Sequence, residues 1–350
     1  MKLTTKELIV VHVCYRNVFN APVSMKSLKL WLGITNVNHE DFDNSISELV
    51  EEGLIIKKDD YLAITDKEEL INRQLEKNNL AAYLIREGKS VLSLLGKLPM
   101  IRFIGISGSL AASNPVKDTK GVNKGKVDLD VFIITSKNSL WLFILIERLY
   151  TNVRRLIKGS FFYDFNYVTD ESFLEVYNKN FYTATEIVNV IPIVNKGIYK
   201  DFLARNHWYT NYYFDSQINI LTTKKGGSKN YFSNILWLPN FISFSLFCIF
   251  RAIKRLDMNA LKEISTKYNP INKCNLMRIS NAAGGYQKLI LIKFENQLRQ
   301  YFSFYYSPEL VKFLFPSESS FRLNAKNIPN KEFTEYMDKY QTISNAKGSI

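Results

Sequence analysis

Two apolar stretches of strand length, IRFIGIS (101–107) and VDLDVFIIT (127–135), frame a Gly-Ser turn and a basic loop, and they leave this chain few folds to choose from. Between them, GSLAASN (108–114) reads as a turn running into a short helix, and PVKDTKGVNKGK (115–126) as a basic, glycine-containing loop. A long apolar helix is predicted over about 138–157, and FFYDFNYV (161–168) reads as another strand. Strand, short helix, strand, helix, strand in that order buries its apolar faces only as a sheet covered by helices, so the expected class is α/β or α+β. Hydrophobic residues at 46% and charged residues at 23% exclude a wholly disordered chain, a collagen-like repeat and a pure coiled coil.

The residues before this core form a smaller unit. Residues 4–19 read as a helix capped by Thr4 or Thr5, with Leu8, Val11, Tyr15 and Phe19 on one face. A second helix, SMKSLKLWL (24–32), begins at Ser24. A third, EDFDNSISELVEE (40–52), ends at Gly53, and LIIKK and YLAIT around Asp59-Asp60 make a hairpin. Three helices and a hairpin follow the winged-helix pattern, here over 1–65. The third helix carries Asp41, Asp43, Glu48, Glu51 and Glu52 and no Lys or Arg, which argues against DNA reading, because phosphate contacts dominate DNA affinity. Packing or protein contact is the expected use of this unit. Residues 66–99 read as a connecting helical stretch closed by Pro99. The core is expected over 100–220 and a helical C-terminal part over 221–350.

The chemistry concentrates at Gly108-Ser109 and Asp128-Leu129-Asp130. Two residues apart on a strand, Asp128 and Asp130 face the same way. Neighbouring carboxylates repel unless a cation lies between them, and hard oxygen ligands suit Mg²⁺ or Mn²⁺. A Gly-Ser turn opening a helix offers backbone N–H groups to phosphate oxygens, and glycine allows close approach. A phosphate cradle beside a dicarboxylate metal site is what nucleotidyl transfer requires.

These residues, Gly108 and Ser109 in FIGISGSLAASN and Asp128 and Asp130 in KVDLDVFIIT, resemble the DNA polymerase β-type nucleotidyltransferase superfamily over about 100–170. More loosely, DFNYVTDESF (164–173), YTATEI (182–187) and the leading winged helix resemble a little-characterised group of bacterial nucleotidyltransferase-domain proteins. The resemblance implies a polymerase β-like core with a mixed sheet. It also implies a third carboxylate on a later strand, for which Asp164 is the candidate and Asn166 a competitor. Asp170 and Glu171 are expected to be surface charges. As the resemblance implies, Asp128 and Asp130 bind two Mg²⁺ ions, one holding the triphosphate and one acidifying an acceptor hydroxyl. Asp164 completes the second site, and Gly108 and Ser109 hold the β- and γ-phosphates. An acceptor oxygen then attacks the α-phosphate and pyrophosphate leaves. The expected function is nucleoside monophosphate transfer from a nucleoside triphosphate to a hydroxyl. A catalytically degenerate nucleotide-binding protein is the alternative.

Around this site the loop lysines Lys117, Lys120, Lys124 and Lys126 are candidates for the leaving pyrophosphate, Lys124 and Lys126 foremost. Lys224, Lys225 and Lys229, in the loop LTTKKGGSKNYF (221–232), could close as a lid. Trp141 could stack on a base, although its spacing with Leu145 and Arg148 favours packing. Glu186 is read as a solvated or capping residue rather than a site carboxylate.

The remaining features narrow partners and compartment. Helices are predicted over 181–191, 197–213, about 241–256, 257–267 and 286–302, and a polar tail follows Pro316. Cys14, Cys248 and Cys274 form no disulfide framework, and His12, His39 and His207 have no metal-ligand spacing. The start of the chain shows no signal-peptide pattern, so a cytoplasmic location is expected. ILWLPNFISFSLFCIF (235–250) is short for a membrane span and is read as a buried helix. Peripheral membrane contact over 235–255 is the less favoured reading, kept because Arg251, Lys254 and Arg255 follow. Of the net charge of +13, residues 221–350 carry +11, which suits a phosphate-bearing acceptor docking beside the core.

Overall fold

The computed structural model describes residues 3–33, 39–117, 125–154, 161–176, 179–213, 235–255 and 282–316. The predicted helix over 257–267, the loop 221–232 and the polar tail after Pro316 lie outside them.

The N-terminal part is built on α1 (Thr5–Val18), α2 (Met25–Leu32) and α3 (His39–Glu51). Thr4, not Thr5, caps α1: its side chain accepts from the Glu7 N–H, and Glu7 returns a bond to the Thr4 backbone. Ser24 caps α2. The hairpin β2 (Ile55–Lys58) and β3 (Tyr61–Ile64) forms as expected and recruits β1 (Val23–Ser24), giving an antiparallel sheet of order β1-β3-β2. Lys6 of α1 bonds Glu48 and Glu52, so part of the acidic surface of α3 is neutralised from within.

The predicted connecting helix is interrupted. It runs as α4 (Glu68–Asn72) and α5 (Gln74–Leu95), separated at Arg73. The second sheet holds β4 (Ile101–Ile106), β5 (Val127–Thr135), β6 (Phe161–Asp170) and β7 (Ile191–Asn195) in the order β6-β5-β4-β7. β5 runs parallel to β6, while β4 is antiparallel to β5 and β7, so the sheet is mixed and the class is α+β.

β7 is a correction. Helical pattern was read through residue 191, but α8 (Phe181–Asn189) stops and the chain turns at Val190 into an edge strand. Pro192 is the physical reason, since it disfavours helix in the residue before it and is tolerated on an edge strand. The helix expected over 197–213 is likewise shorter, α9 (Tyr199–Arg205) followed by a 3₁₀ turn at His207–Asn211. The buried Asn206 side chain joins the two, accepting from Val176 N–H and donating to the Leu174 and Phe202 carbonyls.

The mixed sheet has a core on each face. Phe103, Phe132 and Ile134 pack with α1, α8, α9 and two C-terminal helices, α11 (Ala282–Tyr301) and α12 (Pro308–Leu314). Ile104, Leu129, Val131 and Ile133 pack on the other face with α5, α7 (Leu140–Arg154) and α10 (Trp237–Arg255). No helix among the described residues is long and apolar enough to cross a membrane.

Candidate metal centre

The corner of the mixed sheet beside the Gly108-Ser109 turn gathers three carboxylates. Asp128 and Asp130 point from one face of β5, as strand alternation requires. Parallel pairing sets Asp130 opposite Asp164 on β6, and Asp128 opposite Phe162. One ligand oxygen from each of Asp128, Asp130 and Asp164 lies within 4.8 Å of the others, the spacing of a group able to share a cation. Asn166, the competitor for the third position, is paired neither with Asp128 nor with Asp130, and its side chain lies outside what the structure describes.

The Gly-Ser turn is built into the same corner. β4 ends at Ile106, and the Ser107 N–H donates to the Asp130 carbonyl at 2.9 Å before the chain enters α6 (Gly108–Ala111). Gly108 has φ +66, and a Cβ built there would lie 1.9 Å from Asp130 Oδ2. Glycine is therefore required twice, by conformation and by space. The Ser109 N–H donates to the Asp130 carboxylate.

Glu186, read from the sequence as solvated or capping, belongs to this corner instead. It projects from α8, and its Oε2 accepts from the Gly108 N–H at 3.2 Å. Burial pushes its pKa up to about 7 despite that bond. It had a usable signal: it is the single charged residue between Lys179 and Lys196, on a helix otherwise apolar or hydroxylic. A charge placed so seldom survives burial without a partner or a role.

The electrostatics follow. Burial first, then the charges of Asp128, Glu186 and Asp164, hold the Asp130 carboxyl well above its ordinary value. Three hard oxygen donors under mutual repulsion fit a divalent cation of the Mg²⁺ or Mn²⁺ type, which would relieve that repulsion.

Other predicted residues separate. Lys126 is partly buried at the entry to β5 and Lys117 is exposed, bridging to Val127, while Lys120 and Lys124 lie outside the described residues. So do Lys224, Lys225 and Lys229. Trp141 is buried and packs edge-on to Phe244 and against Phe247, away from a stacking role. Asp170, expected on the surface, is buried at 2% exposure, and its Oδ1 accepts from the Ser172 N–H. Burial raises its pKa to about 6. Glu171 pairs with Arg102 at 3.3 Å.

Comparison with protein-family models, with curated proteins and with solved structures finds no match for this chain.

Proposed function

We propose that this protein is a metal-dependent nucleotidyltransferase, moving a nucleoside monophosphate from a nucleoside triphosphate to a hydroxyl acceptor with release of pyrophosphate. The observation that carries the reading is the convergence of Asp128, Asp130 and Asp164 within 4.8 Å, beside a Gly-Ser turn packed on Asp130. The finer architecture is part of the proposal. The order of α1 to β3 supports a winged-helix unit, and the mixed sheet with its Gly-Ser turn supports a polymerase β-like core.

Mg²⁺ or Mn²⁺ held by the three aspartates would supply positive charge to the triphosphate oxygens and lower the pKa of the acceptor hydroxyl. The protein's own groups do the rest. Asp128 and Asp130 fix the donor set from one strand face, and Asp164 would complete it and take the acceptor proton. The Gly108 N–H, which Glu186 accepts, would pass to a triphosphate oxygen, a neutral Glu186 yielding it more readily than a charged one. Lys126, with Lys124, would balance charge on the leaving pyrophosphate. The +11 carried by residues 221–350 favours an acceptor that bears phosphate.

The test is to incubate the purified protein with each labelled nucleoside triphosphate, Mg²⁺ or Mn²⁺ and a panel of hydroxyl acceptors. Pyrophosphate release by the wild type and not by the Asp128→Ala, Asp130→Ala double variant is the expected result. Equal signals from the two proteins would sink catalysis at this site.

A further inference from the structure

A second polar site lies where α1, α2 and α5 meet the far end of α6. Arg16, on α1, is buried at 8% exposure. Its Nε donates to the Pro22 carbonyl and an Nη to the Ala112 carbonyl, both at 3.1 Å. Among the described residues no Asp or Glu pairs with it. Lys77, close by on α5, donates to the Asn20 carbonyl and Asn114 Oδ1 and likewise has no carboxylate partner there. Burial, then the charges of Arg16 and Arg73, lower the Lys77 pKa. A buried guanidinium satisfied by two neutral carbonyls is costly, and three of its five N–H donors are left over.

Arg16 borders a cavity of about 200 Å³ whose wall also includes Ser24, Ser27, Tyr61, Gln74 and Asn78. Gln74 is 2% exposed. Its Nε2 donates to Asn78 Oδ1 and to the Ser113 carbonyl, both at 2.8 Å. Its buried Oε1 accepts no hydrogen bond. The cavity thus offers a buried cation that no carboxylate among the described residues neutralises. A ligand that satisfies it carries anionic oxygens. The volume is below the roughly 300–1,000 Å³ of pockets for drug-sized ligands, so the ligand is small.

We propose that this cavity binds a phosphate-type anion, with Arg16 on its charged oxygens. Hydrogen phosphate and a small phosphate monoester share that chemistry. Arg suits it because its planar fork meets two phosphate oxygens at once. The site is separate from the metal centre and stands whether or not that centre is catalytic.

The experiment is thermal denaturation of the full chain in chelator, titrated with inorganic phosphate or with ribose 5-phosphate at matched ionic strength. The wild type should show a saturable rise in Tm with at least one of them, and the tighter of the two identifies free phosphate or a monoester as the source. Ser24→Asp keeps the α2 cap and brings a carboxylate to the wall that Arg16 shares, so its Tm without ligand should be no lower than that of the wild type. Its carboxylate at the cavity wall should weaken the midpoint at least about tenfold. Ser27→Asp, in the first turn of the same helix, is the second variant and should do the same. Asp130→Asn should leave the midpoint unchanged. No saturable rise with either probe, or the same midpoint in both serine variants, would overturn the proposal.

Discussion

Asp130 carries more of the account than any other residue, because burial and three neighbouring carboxylates act on it at once. Asp130→Asn removes a repelled charge while leaving an oxygen to accept from Ser109 N–H. The metal-free protein should therefore gain stability, read as a rise in Tm in chelator. The same variant should lose its Mn²⁺-induced rise in Tm and about 10³-fold or more of activity. A merely structural aspartate would move the first quantity and not the others. Glu186 gives a pH signature. Its pKa is raised from 4.5 to about 7, so the folded state holds the proton longer and stability falls as pH rises through that window. Glu186→Gln should accordingly stabilise the metal-free protein by about 1–3 kcal/mol at pH 8 and by much less near pH 5, read from Tm at the two values.

At the scale of elements, α10 shows how a polar residue in an apolar run earns its place. Asn240 Oδ1 accepts from the Trp141 N–H at 2.7 Å and the Leu142 N–H at 3.3 Å, capping α7 from a different helix. Asn240→Ala should cost about 1–3 kcal/mol in urea denaturation by orphaning two buried donors. Asn240 stands out in so apolar a run, but nothing in the sequence points to its partner, 99 residues away. The same division runs through the site. Asp128 and Asp130 were legible because a two-residue period on one strand is local. The choice of Asp164 over Asn166 as the partner of Asp130 was not, because both share a strand face and only the register of β6 on β5 separates them. Helix periodicity shows Glu186 as a lone charge on α8 but does not report that its side chain meets the Gly108 N–H. β7 was missed because five residues with a proline look like the frayed end of the preceding helix.

The whole molecule is tied together by the core that α1 shares with α8, α11 and one face of the mixed sheet. His12 lies in it, 1% exposed, stacked on Trp31 and against Phe181 and Tyr213. Burial lowers its pKa from 6.5 to about 3. The unfolded chain therefore takes the proton first, and stability is lost as pH falls below 6.5. That loss is about 2 kcal/mol at pH 5, and His12→Leu should remove it, flattening the acid limb of a plot of stability against pH. The charge distribution works at this scale too. The N-terminal 98 residues carry −1 and the last 130 carry +11, so the N-terminal unit has no excess of positive charge with which to hold a phosphate backbone.

The central claim is that Asp128, Asp130 and Asp164 hold the metal on which a nucleoside triphosphate is positioned. Crystals grown with Mn²⁺ and an α,β-non-hydrolysable nucleoside triphosphate test it most directly through the anomalous signal of manganese. Manganese among the three aspartates and phosphate oxygens on the Gly108 and Ser109 N–H groups, with Glu186 withdrawn, is the expected result. Manganese elsewhere, or a triphosphate bound away from the Gly-Ser turn, would contradict it.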